Sequence, residues 1–163
     1  MMSSITGFKA FNNMMDRYGN TYELNKEYKV YGSIKFHKNG FHFCKNLEDV
    51  FRYYDGFDKN TIVCQVYGYG VLDKYDDIYN DYYDMYASSN IKLIKTLTRD
   101  EILNIVLNKG VNSIIRLISG YYLNNEEINI ILNKYNNQEV RNFIDYYQKD
   151  ILNAFEKRKV RKW

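Results

Sequence analysis

The fold of this chain is decided by the stretch GFHFCKNLEDVFRYY, Gly40–Tyr54. At its start, Phe41 and Phe43 alternate with His42 and Cys44. This period of two is typical of a strand with one apolar and one mixed face. We therefore predict a buried strand that leads directly into a second element.

The second half of the same stretch predicts a short amphipathic helix. Asn46 stands where an N-cap belongs, and Asp49 places negative charge in the first turn. The next apolar residues are spaced i, i+3, i+4 and i+7, which places them on one face of a helix. They are Leu47, Val50, Phe51 and Tyr54. We expect that face to pack against the core.

Outward from this block, the first half of the chain predicts further strands. Alternating or β-branched runs occur at Ile5–Phe11, Thr21–Tyr31, Ser33–Phe36, Thr61–Tyr67 and Ile91–Leu97. A turn near Asn25 interrupts the second run, and Asn39-Gly40 is a hairpin signal.

The ends of the last two strands are less regular. Gly68 and Gly70 are expected to end or bulge the fourth run. Val71–Tyr86 has no clean period and predicts an excursion between strands. In the final strand, Ile91 and Leu93 should share one face, with Ile94 and Leu97 returning toward the core.

The second half of the chain predicts helices. Thr98 with Glu101 forms a capping box, and Gly110 follows as a C-terminal stop. Later helices are predicted at Val111–Ser119, after Asn124 with its capping partner Glu127, and after Asn137, whose long apolar stripe carries Val140, Phe143, Ile144, Tyr147, Ile151 and Phe155.

These patterns predict an α+β fold, with a small, mainly antiparallel sheet and one packed helix, followed by a C-terminal helical bundle of about four helices. We expect the sheet region at residues 1–97 and the helical region at 98–163, together forming one compact unit.

Composition excludes several classes of protein. The 163 residues carry a net charge of +3, which is too small to imply nucleic acid by itself. Tyrosine occurs 18 times and proline is absent, a bias that AT-rich coding DNA also produces. No run is long and apolar enough to span a bilayer, and Met1–Phe11 does not resemble a signal peptide. We expect a soluble cytoplasmic protein, inside a host cell, without membrane contact.

An ordered set of motifs carries a family resemblance: Gly7–Asn12, Gly19–Tyr22, Gly40–Tyr54, Val63–Gly70 and Ile91–Ile102. Over about residues 5–107, the chain resembles an uncharacterised domain of phage, bacterial mobile-element and giant-virus proteins, sometimes fused to pentapeptide repeats. The resemblance implies a viral or mobile-element setting and no assigned catalytic residue. Family members often carry Cys-Arg-Gly-Phe where this chain has Asp16-Arg17-Tyr18, so a role for that cysteine would be lost here.

His37, His42, Cys44 and Cys64 are the residues of strong transition-metal type. His37 and His42 have a loose H-x₄-H spacing, but they flank a turn and a strand rather than lying on one helix, and we expect no metal and no cofactor. Whether the two cysteines pair is left open. A nucleophilic pair of Cys44 with His42 is a weak catalytic candidate, because a helix N-terminus lowers a thiol's pKa.

A second class of function is an ADP-ribosyltransferase-like enzyme or a degenerate nucleotide-binding relative. Gly40–Phe43 is similar to a strand of those domains that precedes a helix packed beside the nicotinamide cleft; by analogy it would line a groove, with His42, Arg17 or Glu23 as polar contacts. The characteristic arginine–serine–glutamate or histidine–tyrosine–glutamate set is missing, so this rests on fold-level analogy.

Two segments are candidates for contact with a partner. Tyrosines interleaved with aspartates predict a protein-binding surface at Asp73, Asp76, Asp77, Tyr79, Asp81, Tyr82, Tyr83 and Asp84. A basic C-terminus is a weak nucleic-acid candidate, through Lys157, Arg158, Lys159, Arg161, Lys162 and Trp163. The sequence as a whole favours a non-catalytic interaction protein that binds a host or viral macromolecule, with a protein as the expected partner and action against host defence as one form of this role.

Overall fold

The computed structural model describes residues 3–54, 60–76 and 84–160. These residues divide into two compact units. The first lies within Met1–Val50 and Asn60–Leu97, and the second within Phe51–Lys59 and Thr98–Trp163. The first is built on strands and the second on helices.

The first unit is an antiparallel five-stranded sheet. Its strands are β1 (Ser4–Asn12), β2 (Glu27–Lys29), β3 (Phe41–Cys44), β4 (Thr61–Lys74) and β5 (Met85–Thr96). β4 pairs with β1 and β5, while β3 pairs with β5 and, at Phe8 and Cys44, with β1. The pairings therefore return to their starting strand, and the sheet closes on itself, with β2 added along β5.

The inner face of the closed sheet holds the core of this unit. Its buried members come from four strands and one loop and are Phe11, Tyr22, Phe43, Cys64, Val66, Ile91 and Leu93. Alternation explains the choice, because successive side chains of a strand point to opposite faces. The predicted inward orientation of Ile91 and Leu93 is confirmed.

Two strands are longer than the sequence predicts. β4 runs past Gly68 and Gly70 to Lys74, and β5 begins at Met85, so most of the described part of Val71–Tyr86 is paired strand. The expected bulge is confirmed between Tyr69 and Leu72, where Gly70 has a φ of +86°. The prediction of an irregular segment between strands was wrong at both ends of Val71–Tyr86. Pairing between β4 and β5 stabilises extended backbone there, although the sequence has no apolar alternation.

Three other predictions about the first unit need correction. Thr21–Tyr31 contributes only the short β2, after a left-handed Asn25, and Ser33–Phe36 forms no strand. In that second segment, Lys35 makes a single bridge to Asn39. Ile94 is exposed rather than returning to the core, because the register shifts between Gln65 and Val66, opposite Leu93 and Lys95.

The element after β3 is a 3-10 helix, Leu47–Arg52, rather than the α-helix predicted. Leu47, Val50 and Phe51 are buried as expected, whereas Tyr54, the fourth predicted member of that face, lies beyond the end of the helix and is only partly buried. Six residues are too few to gain much from α-helical hydrogen bonding, and 3-10 geometry is common in such short pieces. Its two acidic residues, Glu48 and Asp49, are also buried, which the sequence does not predict.

The second unit consists of helices joined by short connections. They are α1 (Arg99–Leu107), α2 (Val111–Ile118), α3 (Asn125–Lys134), α4 (Gln138–Phe143) and α5 (Lys149–Val160). Both predicted capping boxes are confirmed, at Thr98 with Glu101 and at Asn124 with Glu127, and Asn137 caps α4. Gly110 has a φ of +118° and stands at the N-cap of α2, after α1 has ended at Leu107.

The last predicted helix contains a π-helical turn, Ile144–Gln148, between α4 and α5. Gln148 is buried, and its amide nitrogen donates to the carbonyls of Ile118 and Tyr121, at 2.8 and 2.9 Å. Its oxygen accepts the backbone N–H of Leu123 at 2.8 Å. The predicted apolar stripe contains only hydrophobic positions, and it does not signal that a polar side chain turns inward among them.

The α+β class and the C-terminal helices after the sheet are thus confirmed. Within the described residues, no helix has both the length and the apolar character that crossing a membrane requires.

Candidate functional site

His42 lies on β3 and has a structural contact through its ring. Nε2 accepts the backbone N–H of His37 at 2.9 Å, and the Phe36 ring packs edge-on at 4.7 Å between centroids. His37 itself has a left-handed φ of 66°, so this bond holds a turn that few residues adopt readily. The imidazole therefore works as a hydrogen-bond acceptor within the fold.

The electrostatic surroundings of His42 favour its neutral form. Burial is the main cause that lowers its pKa to about 4, and the positive charges of Lys9, His37 and Arg17 act in the same direction. A neutral ring is also what the contact with His37 needs, because a protonated Nε2 has no lone pair to accept with.

Neither Cys44 nor Cys64 forms a disulfide, and both are buried. Cys44 is only 5% exposed. Cys64 lies in the core with its sulfur 4.0 Å from that of Met14, and burial raises its pKa to about 11. A raised pKa and a closed environment both oppose thiolate formation at Cys64. Among the residues that the structure describes, no group of three or more histidine, cysteine or acidic side chains is placed to hold a metal ion.

Lys9 was missed by the sequence analysis. It lies opposite Cys64 on the inner face of β1, and its Nζ donates to the carbonyl of His42 at 2.7 Å. β1 and β3 are paired only at Phe8 and Cys44, so this side chain adds a bond where the ladder is sparse. Burial lowers the pKa of Lys9 to about 8, while Asp16 opposes that shift. The feature of the sequence that could have identified Lys9 is its place in β1, where the alternation of side chains puts this lysine at a position that faces the core.

Asp16 organises the loop that follows β1. Its carboxylate accepts the backbone N–H groups of Tyr18 and Asn20 and the Tyr22 hydroxyl. Burial would raise the pKa of Asp16, but hydrogen bonds from Asn20, Tyr18 and Tyr22 outweigh it and hold the pKa below its usual value. Arg17 stacks on Tyr18, with its guanidinium carbon 5.1 Å from the ring centroid. The other polar candidate of the nucleotide-binding alternative, Glu23, pairs with Lys26 at 2.9 Å.

The predicted acidic surface is described only in part. Asp73 accepts the backbone N–H of Phe36 at 2.7 Å, and Asp84 bridges to Lys74 at 2.8 Å. Asp76 is exposed. The remaining members lie outside the described residues: Asp77, Tyr79, Asp81, Tyr82 and Tyr83.

The predicted basic tail is described even less. Lys157 is exposed on α5. The side chains of Arg158 and Lys159, and the whole of Arg161, Lys162 and Trp163, lie outside the described residues.

The outer face of the closed sheet carries an aromatic and basic surface that sequence reasoning missed. We call Lys29, Tyr31, Tyr67, Tyr69 and Lys92 the tyrosine–lysine face. Tyr67 alternates with buried Val66 and Gly68, and in register it stands between Lys92 on β5 and Thr6 on β1. Only strand register brings these residues together, which is why the linear sequence gives no motif for them.

Side-chain geometry keeps this face accessible. The rings of Tyr67 and Tyr69 lie 5.5 Å apart between centroids, with their planes tilted by 30°. Tyr67 is 38% exposed and Tyr31 is 79% exposed. The Lys29 ammonium lies 4.8 Å from the centroid of the Tyr31 ring. Exposed aromatic rings next to cations are suited to contact rather than to catalysis.

Closed antiparallel pairing around the Gly-Phe-His-Phe-Cys strand thus defines an α+β domain. The chain belongs to the family described as "Domain of unknown function (DUF7666)", whose model matches residues 5–105. That match covers the sheet and most of α1. No curated protein and no solved structure gives a match.

Proposed function

We propose that this protein is a non-catalytic binding protein that holds a host or viral macromolecule through the tyrosine–lysine face. One observation carries the proposal: Tyr67 and Tyr69 stand side by side on the outer face of the sheet, with Lys92 directly opposite Tyr67 and Lys29 one strand beyond Asn90, the residue opposite Tyr69. Tyrosine gives a large contact area with little rotamer freedom to lose, and it is enriched among residues that dominate binding energy.

The reactive side chains of the signature motif support the same conclusion. The imidazole of His42 accepts a backbone N–H, and Cys44 and Cys64 are buried. These groups stabilise the fold, which leaves the outer surface as the part available to a partner.

The setting that we propose is a virus or mobile genetic element, with the protein acting inside the host cell and interference with host defence as one form of its role. This part is supported by the ordered sequence motifs alone. The acidic segment around Asp76 is a second proposed contact surface, for a protein partner. Neutralising Asp76, Asp77 and Asp81 together should then abolish protein capture without changing the melting temperature.

A capture experiment tests the proposal. Immobilised wild-type protein is compared with Tyr67→Thr/Tyr69→Thr, since threonine keeps a high strand propensity. Tyr18→Thr/Tyr146→Ala is the matched control, because both of its tyrosines are exposed elsewhere. After cross-linking in host lysate, proteins and nucleic acids retained by each variant are identified. Loss of a retained macromolecule from the first variant alone supports the proposal; identical retention by all three contradicts it.

The enzyme or nucleotide-binding alternative makes a different prediction. NAD and related nucleotides should raise the melting temperature of a nucleotide-binding domain by mass action. The proposed non-catalytic role predicts no such stabilisation.

A further inference from the structure

The residues of the tyrosine–lysine face are ordered in cross-strand rows. One row places Glu27, Lys92, Tyr67 and Thr6 next to one another across four strands. The next row places Lys29, Asn90, Tyr69 and Ser4 in the same order. Each tyrosine thus has a short polar side chain on one side and a polar or basic one on the other.

The short neighbours on β1 leave the rings open on that side. Ser4 and Thr6 are both exposed, and neither has the size to cover an aromatic ring. A planar group can therefore approach Tyr67 and Tyr69 from solvent. Nucleic-acid bases are such groups, and stacking of a base on an aromatic side chain is tolerant of sequence because every base has a π-face.

The charge around the rings is positive. Lys29 and Lys92 belong to the two rows. Lys95 lies opposite Gln65, in the next cross-strand row on the far side of Tyr67 and Lys92. The carboxylate in these rows belongs to Glu27, and it accepts a hydrogen bond from the Tyr69 hydroxyl. The three ammonium groups outnumber the single carboxylate, which is already hydrogen-bonded. The resulting positive surface is complementary to phosphate.

We infer that the tyrosine–lysine face binds single-stranded nucleic acid, with bases stacked on Tyr67 and Tyr69 and phosphates contacted by Lys29 and Lys92. This inference rests on the proposed function and names its ligand. A single strand is required because a duplex keeps the faces of its bases stacked on one another and out of reach.

Fluorescence anisotropy with labelled oligothymidylate and oligouridylate of about 12 nucleotides tests the inference. Wild-type protein should bind the single strands and not a duplex of the same length. Tyr67→Thr/Tyr69→Thr should weaken binding about 10-fold or more, because stacking is lost. Tyr67→Phe/Tyr69→Phe should retain binding, since phenylalanine keeps the stacking surface.

The lysines have a separate signature in the salt dependence. Each phosphate contact contributes about 0.7 to the slope of log K against log salt for a single strand, so Lys29→Gln/Lys92→Gln should lower that slope by about 1.4. The matched control Lys134→Gln/Lys149→Gln removes the same charge from the helical unit and should leave the slope unchanged. Tyr67→Thr/Tyr69→Thr should weaken binding at every salt concentration without changing the slope.

Three results would overturn the inference. The first is no binding of either oligonucleotide by wild-type protein. The second is equal binding by Tyr67→Thr/Tyr69→Thr and wild type. The third is binding that disappears on deletion of residues 157–163, since the basic tail is then the site. If oligonucleotides do not bind while the capture experiment loses a protein with the same tyrosine variant, the ligand named here is wrong and the proposed function stands.

Discussion

The ring of Phe43 fills the space into which a side chain on Gly68 would project. A Cβ at Gly68 would come within 2.4 Å of two ring carbons of Phe43, and a Cβ at Gly7 within 2.7 Å of another. Tyr86 stacks on the same ring, at 5.9 Å between centroids. The aromatic residue of the signature motif thus fits over two glycines on β1 and β4, and the two kinds of residue depend on each other.

Replacing Gly68 by alanine should therefore destabilise the protein. The added methyl group cannot be accommodated without moving the Phe43 ring, and overpacking of this kind costs about 1–3 kcal/mol. Urea unfolding measures the change. The matched comparison is Gly68→Ala in a Phe43→Leu background, where the smaller side chain leaves room. If the alanine costs as much there as in wild type, the two residues are not coupled.

Stability should fall in mild acid because of His42. In the unfolded chain its pKa is about 6.5, whereas burial and the charges of Lys9, His37 and Arg17 lower it to about 4 in the fold. The unfolded state therefore binds a proton first, and stability that is complete above about pH 6.5 is lost as the pH falls to about 4. Because the His42 ring is only half buried, solvent screens the charges around it. We therefore expect the free energy of unfolding to fall by on the order of 1 kcal/mol over this pH range.

Thermal unfolding between these pH values checks this expectation. His42→Leu should remove the part of the pH dependence that lies in this window, while also lowering stability at neutral pH through loss of the bond to His37. His37→Gln gives the comparison: it keeps the His42 ring but removes one of the charges that lower the pKa of that ring, so it should reduce the slope only in part. An unchanged slope in His42→Leu would assign the acid response to other groups.

Both cysteines should be protected from alkylation in the folded protein. Cys44 and Cys64 are buried, and the raised pKa of Cys64 further reduces its thiolate fraction at neutral pH. Mass spectrometry after iodoacetamide treatment at neutral pH should find slow labelling that follows opening of the fold, and rapid labelling of both in urea. Rapid labelling of Cys44 in native protein would revive the nucleophile hypothesis.

Glu127 should be a sensitive position in the helical unit. Its side chain is 7% exposed and accepts two bonds from the Arg99 guanidinium, at 2.8 and 2.7 Å, while also completing the capping box of α3. Removing the charge from a largely buried partner leaves Arg99 poorly compensated. Because Arg99 is itself partly exposed, we expect Glu127→Gln to cost about 1–2 kcal/mol. Glu126→Gln, at an exposed site in the same turn, should change stability by less than about 0.5 kcal/mol in the same urea titration.

The parts of the fold that the sequence predicts well depend on contacts between near neighbours. The capping boxes at Thr98 and Asn124 involve residues three apart, and the inward face of Ile91 and Leu93 follows from alternation within one strand. The lengths of β4 and β5 depend instead on pairing with each other, which no single segment encodes.

The candidate surface was missed for the same reason. Lys29, Tyr67 and Lys92 belong to three strands, and only the register of β2, β5 and β4 makes them neighbours. Lys9 was missed because its bond is to the backbone of a strand that follows 33 residues later. The acidic segment was recognisable from composition, but composition does not reveal that Asp73 caps a backbone N–H or that Asp84 pairs with Lys74.

The buried amide of Gln148 has a consequence for how the chain can be shortened. It satisfies three main-chain groups between Ile118 and Leu123, so a fragment that stops at the end of α3 would leave those groups without their partner. A truncated version meant to keep the link from α2 to α3 intact must therefore extend through the π-helical turn. Cutting at the limit of the family match would remove that link altogether.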